Sequence, residues 1–416
     1  MRPTLDSPFA RNNVDPAVLC PGIGQGKHDG EPLTVSIAQS TTFYREGVGS
    51  NPQHQYSRVS NPTVATLEDA LGQLELAPPA LCFSTGLAAE TALFLAVLRA
   101  GDHVLCGRSV YGGTVRLLRE VLPDLGIDTT FVDTTNVDAV REAVRPNTKL
   151  LFIETPSNPV LEVSDIRAIA EIARYSGALL AVDNTFQTAA LQQPLDLGAD
   201  ISVYSTTKFI DGHSVALGGA LVSRDPALLE RIRFVRKCTG AIQTPFNAWA
   251  TINGLKTLPL RLSSQSKTAA AIASWLDGHP TIARVHYPGL HTDGAHALAE
   301  RQHTGTHTGL EPCHGAVLSF ELRGGLGAAR ALAERLDLCS LVEHVGSVQT
   351  LVTHSATMTH ADVPAEQRRD CGIADGLLRL SVGLEPAGAI IADLERALGL
   401  VPAEDFHEEV SACNPA

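Results

Sequence analysis

The sequence predicts an α/β protein with a mainly parallel sheet in a large domain and a smaller α+β domain toward the C-terminus. Three observations predict it. From about residue 61, short apolar runs alternate with stretches whose apolar residues recur at helical spacing. The runs are apolar at successive positions, not at every second one, as in strands buried on both faces. Beyond about residue 261 the alternation gives way to a mixture of helix and strand.

Taken in order, residues 1–60 are turn-rich and polar, and read as an extended arm. The large domain spans 61–260. Its strands are ALCFS (80–84), HVLCG (103–107), TTFVD (129–133), KLLFIET (149–155), ALLAVDNT (178–185) and DISVYSTT (200–207). Between them lie the helical stretches GLAAETALFLAVLRA, TVRLLREVL, NVDAVREAV and DIRAIAEIARY. VALGGALVS (215–223) adds an antiparallel strand, and 225–260 is helical and connecting. The second domain, 261–416, opens with a helix. It continues with HGAVLSFEL (314–322), a helix through 327–336 and LLRLSVGLE (377–385). From Asp293 to His314 a stretch rich in His, Thr and Gly reads as an exposed loop.

Bulk composition narrows the class. With 416 residues, 44% hydrophobic and 19% charged, the chain can bury a large core and is not a disordered one. A net charge of −13 without a basic cluster argues against nucleic acid as a partner. The eight cysteines form no C-x-x-C pair, so they read as buried free thiols of a reducing compartment. No signal pattern and no apolar run of membrane-spanning length is visible, so a soluble cytoplasmic protein is expected.

Ligands of an α/β sheet gather at the carboxyl ends of its strands, and three such ends are chemically unusual. STGLAAE (84–90) leads from a strand into a helix, whose first amides and dipole suit a phosphate; it also suits a plain tight turn. Asp183, in AVDNT, ends an apolar run, where a carboxylate needs a cationic or donor partner. Lys208, in YSTTKFIDGHS (204–214), follows a strand and three hydroxyl residues, of which Ser205 and Thr207 suit phosphate oxygens. A lysine to link the aldehyde, an acid for the ring nitrogen and donors for the phosphate are what pyridoxal 5′-phosphate (PLP) requires.

These motifs, with YSRVSNPT (56–63), SVYGGT (109–114), ETPSNP (154–159), ATMTH (356–360) and RLSVGLE (379–385), resemble the Cys/Met-metabolism family of fold-type I PLP enzymes, the trans-sulfuration group. The resemblance runs from about residue 33 to 400. It implies that Lys208 holds PLP as a Schiff base and shuttles protons, and that Asp183 faces the pyridine nitrogen. It implies that Tyr111 stacks on the ring, and that Gly86 and Leu87 offer amides to the phosphate, with Ser205 and Thr207 adding hydroxyls. Tyr56 and Arg58 would reach the phosphate of a neighbouring subunit, making a dimer the minimum unit and a tetramer usual. Asn158 and Arg379 would position the substrate, Arg379 by a bidentate grip on its α-carboxylate.

Within the family, Arg116 and Glu343 match residues shared by cystathionine γ-synthases and γ-lyases. The expected reaction is γ-replacement on an O-acylated homoserine through a vinylglycine-type intermediate, with γ-elimination on cystathionine as the alternative. His344, expected with Arg116 and Glu343 at the substrate end, departs from the family, which usually has serine there; histidine is bulkier and is expected to titrate near neutral pH. HTGTHTGLEPCH (303–314) reads as an insertion. Its His303, His307, Cys313 and His314 raise a zinc site, but Gly305 and the threonines argue against the helix that would align them, so no metal is expected.

Overall fold

The structure, a computed structural model, describes residues 15–26, 28–290, 294–303, 313–361, 363, 365–402 and 406. Seven strands form the first sheet: β1 (Leu81–Phe83), β2 (His103–Gly107), β3 (Asp128–Val132), β4 (Thr148–Glu154), β5 (Leu179–Asp183), β6 (Ile201–Tyr204) and β7 (Gly219–Val222). Their order is β1-β7-β6-β5-β4-β2-β3. Neighbours pair in parallel except β7, which lies antiparallel between β1 and β6.

The continuous apolar runs have a direct cause. Leu150, Leu151, Phe152 and Ile153 of β4 are all fully buried. Leu150 and Phe152 share a core with the helix Gly86–Val97, and Leu151 and Ile153 share another with the helix Ile166–Ser176. Side chains alternate between faces along a strand, so a strand covered on both sides needs apolar residues throughout. Each such burial contributes about 1.5–3 kcal/mol.

Helix starts are fixed locally. Asn61, Thr85, Asp165 and Asp225 each accept a first-turn amide with their side chains, satisfying donors that the helix itself leaves over. One expected helix is interrupted. Gly112–Arg116 widens into a single π turn, Leu117–Val121, closed by the Leu122 N–H on the Leu117 carbonyl at 3.1 Å. Leu118 and Leu122 stay buried across it.

The second sheet contains β8 (Ile282–His286), β9 (Val317–Leu322), β10 (Ser340–Leu341), β11 (Leu351–His354) and β12 (Leu377–Ser381), in the order β10-β11-β12-β9-β8. It shares an apolar core with the helices Leu258–Asp277, Gly325–Ala333 and Ala387–Gly399. The stretch expected as an exposed loop before His314 is instead helical over Gly294–Gln302, and His303 and His314 are buried. Polar contacts that hydropathy does not reveal fasten it. Gln302 accepts from the Ile166 N–H at 2.8 Å and donates to the Ser164 carbonyl at 3.0 Å. Residues 291–293 and 304–312, including His307 and Gly305, lie outside the described residues.

Of the N-terminal arm, 15–60 forms the short helical turns Pro16–Leu19 and Cys20–Gly22 and an extended stretch bridged between Thr42 and Tyr56. The described cysteines are all free thiols, most of them buried. No helix among the described residues is long and apolar enough to cross a membrane.

Candidate active site

A cleft of about 490 Å³ opens at the carboxyl ends of β4, β5 and β6, and is lined from the other side by residues of the second sheet and its loops. In an open α/β sheet, ligands bind where the winding reverses. Here the reversal falls between β2 and β4, because the chain leaves β2 for β3 on one side and returns to β4 on the other. One hydrogen bond spans that gap: the Tyr111 N–H, beyond β2, donates to Glu154 Oε2, at the end of β4, at 2.7 Å.

The floor of the cleft is acidic. Asp183 ends β5 in register with Glu154 and is 7% exposed. Its Oδ1 accepts the Thr185 N–H at 2.9 Å, and it has no ion-pair partner among the described residues. Burial pushes its pKa up to about 6 against the hydrogen bonds from Thr185 that lower it. Glu154 is raised by burial and by the charge of Asp183. Glu90, whose Oε2 accepts from the Thr114 hydroxyl at 2.7 Å, is raised to about 8 by the same two causes. Burial thus pushes all three acids of the floor toward their neutral forms. A lone buried carboxylate is costly, and a cationic ring nitrogen offsets that cost. Sequence reasoning missed Glu154 and Glu90. The signal that picked out Asp183, an acid ending an apolar strand, applies equally to Glu154.

Lys208 stands on the turn after β6, closed by the Gly212 N–H on the Lys208 carbonyl at 2.8 Å. Buried Arg261 braces this turn through the carbonyls of Phe209 (2.9 Å) and Gly254 (2.8 Å). Burial, and then the charge of Arg379, lower the Lys208 pKa to about 8, which keeps part of the population as a nucleophilic amine. His344 Nδ1 lies 3.4 Å from Lys208 Nζ. The expectation that this histidine titrates near neutrality is corrected: burial, then Lys208 and Arg379, hold it down at about 4. Its neighbours Glu343 and Val345 line the cleft, and His344 touches the lysine instead.

At the opposite wall, Thr85 caps the helix Gly86–Val97 by accepting the Ala88 N–H at 3.0 Å. The Gly86 and Leu87 amides begin that helix and have no acceptor within it. A Cβ on Gly86 would lie 3.0 Å from the Ser205 Cβ, so glycine lets the turn approach Ser205 closely. Thr207 lines the same cleft with its hydroxyl already bonded. Its hydroxyl donates to the Gly218 carbonyl at 3.1 Å and accepts the Gly218 N–H at 3.0 Å, so its one hydrogen is already engaged in the β6–β7 connection. Tyr111 is half-exposed over the cleft, and a Cβ on Gly113 would come within 2.5 Å of its ring.

Arg379, on β12, is 3% exposed. It donates from Nη1 to Asn158 Oδ1 at 2.7 Å, and from Nη2 to the His344 carbonyl at 3.1 Å and Thr353 Oγ1 at 3.2 Å. Its buried Nε has no hydrogen-bond partner among the described residues, which suits an incoming carboxylate. Arg116 and Glu343 line the same cleft but are exposed. Tyr56 and Arg58 do not line it: Arg58 donates to the Lys237 carbonyl at 2.9 Å and stacks over Tyr56 on the surface. A buried amine, an unpaired carboxylate and a helix start facing one cleft fit PLP.

Comparison with known proteins agrees. Residues 22–399 match the family model described as Cys/Met metabolism PLP-dependent enzyme. The chain is 41% identical over 366 residues to a cystathionine gamma-lyase of Bacillus subtilis (strain 168), covering 88% of this chain and 94% of that one. It is 42% identical over 368 residues to a cystathionine gamma-synthase of Mycobacterium tuberculosis, covering 88% and 92%. A crystal structure of cystathionine gamma synthase from Xanthomonas oryzae pv. oryzae, in complex with aminoacrylate and cysteine, superposes with a TM-score of 0.89 at 39% identity over 94% and 99% of the two chains.

Proposed function

The chain belongs to the Cys/Met metabolism family of PLP-dependent enzymes, and from that premise we propose that it catalyses γ-replacement on an O-acylated homoserine, with cysteine as the nucleophile. The observation that carries this reading is the layout of the cleft. A buried arginine with an unsatisfied N–H, Arg379, lines the same cleft as an exposed arginine–glutamate pair, Arg116 and Glu343. One cation suits the α-carboxylate shared by all amino-acid substrates. The other suits an anionic acyl group at the γ-carbon.

Bound PLP supplies an electron sink that eases loss of the substrate's α-hydrogen. In this reading Lys208, with its lowered pKa, carries that proton at its Nζ. Asp183 would keep a positive charge on the ring nitrogen, and Tyr111 would stack on the ring. The Gly86 and Leu87 amides and the Ser205 hydroxyl hold the phosphate; Thr207 contributes by exchanging its bond to Gly218. Asn158 orients Arg379. The cations lining the cleft are Lys208, Arg116 and Arg379, each with another role. As the family resemblance implies, Tyr56 and Arg58 of a second subunit complete the phosphate site, in a dimer-based cytoplasmic homotetramer.

Purified protein given O-succinyl- or O-acetyl-homoserine with cysteine should release the acyl acid and form cystathionine; no turnover with either ester overturns the proposal. The near-equal identity to a γ-lyase supports a second reading, γ-elimination. Faster 2-oxobutanoate release from cystathionine alone than acyl release from either ester would select it.

A further inference from the structure

We propose that His296, Glu300 and His314 form a zinc site that braces the helix Gly294–Gln302 against the segment leading into β9. One ligand atom from each residue lies within 4.8 Å of the others. His296 and Glu300 stand one helical turn apart, so their side chains share a face. Glu300 Oε1 is 2.8 Å from His314 Nε2 and 3.9 Å from His296 Nε2. Tetrahedral zinc, with bonds near 2.0–2.2 Å, spaces such atoms by roughly 3.3 Å. One separation therefore opens and the other closes by about half an ångström, and the side chain of Glu300, 40% exposed, has room to move.

The second observation concerns the far side of each ring. A metal-binding imidazole offers one nitrogen to the metal and holds a hydrogen bond through the other, which fixes its tautomer. His296 Nδ1 is 2.9 Å from the Pro288 carbonyl and must donate to it. His314 Nδ1 is 3.0 Å from His303 Nδ1, a buried ring nitrogen that can accept from it. Both histidines thereby direct Nε2 toward Glu300. An N,N,O donor set with a further position for water suits zinc better than calcium or magnesium.

The site also connects to the cleft. The His314 carbonyl accepts from the side chain of Gln187 at 3.0 Å. Gln187 is buried and follows Phe186, which lines the cleft beyond Asp183. Gly315, in the left-handed region at φ +90°, lies so close that a Cβ there would come within 2.9 Å of the Gln187 amide. Zinc at this place stabilises the frame around the cofactor floor without touching the cofactor.

The test uses the PLP-loaded enzyme, made without a polyhistidine tag, stripped with a chelator, desalted and titrated with Co²⁺. The expected result is one saturable set of cobalt ligand-field bands per subunit, of the intensity of a four- or five-coordinate ion, displaced by Zn²⁺. Thermal unfolding of the same holoenzyme should rise with Zn²⁺. His296→Ala and Glu300→Gln should each weaken binding by more than about tenfold. Arg301→Ala on the same helix should leave it unchanged. No saturable band, only the weak absorption of an octahedral ion, or unaltered affinity in both ligand variants would overturn the proposal.

Discussion

The two ends of the cleft are built differently. At the floor, Asp183, Glu154 and Arg379 are almost fully buried; Glu154 is bonded to Tyr111 and Arg379 to Asn158 across elements, and Asp183 to Thr185 just beyond its own strand. At the mouth, Arg116 and Glu343 are exposed, one at the end of a short helix and one on a loop. A buried polar group that loses its partner costs about 1–3 kcal/mol, and more when charged. The floor therefore resists change, whereas the mouth tolerates it. Chemistry common to a family belongs in the first setting, and choice among leaving groups and nucleophiles in the second.

The largest test of this contrast is at the lysine. Lys208→Ala should abolish the borohydride-trapped link to PLP in a mass spectrum and lower turnover by roughly 10³-fold or more. A variant retaining both would break the comparison at its base. Asp183→Asn should lower kcat by roughly 10²-fold with every substrate alike; a loss confined to one substrate would place it at the mouth instead. Arg379→Lys removes the planar fork, and about 1.5–3 kcal/mol should appear mainly as a raised KM. The pH dependence is a subtler measure. Because the neutral amine is the reactive form, PLP capture by the apoprotein should rise through pH 8. It should gain roughly tenfold between one pH unit below and one above. A midpoint near the ordinary lysine value would contradict the burial argument. The smallest effects belong to Glu343→Gln and Arg116→Gln. They should alter the ratio of acyl-homoserine to cystathionine turnover by up to about tenfold and leave PLP binding intact.

The same contrast governs what could be read in advance. The order of strands and the positions of Lys208 and Asp183 follow from apolar runs that end in charged residues, a pattern that burial itself imposes. Glu154 obeys the same rule and was readable but unread. The bond that Thr207 makes was not readable, because a hydroxyl's partner is set by which strand folds beside it, here β7 through Gly218. His344 was misjudged because its protonation depends on the charges of Lys208 and Arg379, which are 136 and 35 residues away along the chain. The helix before His303 was missed because Gln302 secures it to Ile166 and Ser164, contacts that leave no local periodicity.

Gly346 joins the two ends. It sits at φ +85°, and a Cβ there would lie 2.5 Å from the Phe209 nitrogen and 2.7 Å from the Lys208 carbonyl carbon. The loop carrying Glu343 is thus backed directly onto the main chain of Lys208. Lengthening that loop to admit a larger substrate would drag the lysine with it. New specificity at this corner is reached by exchanging side chains on a fixed backbone.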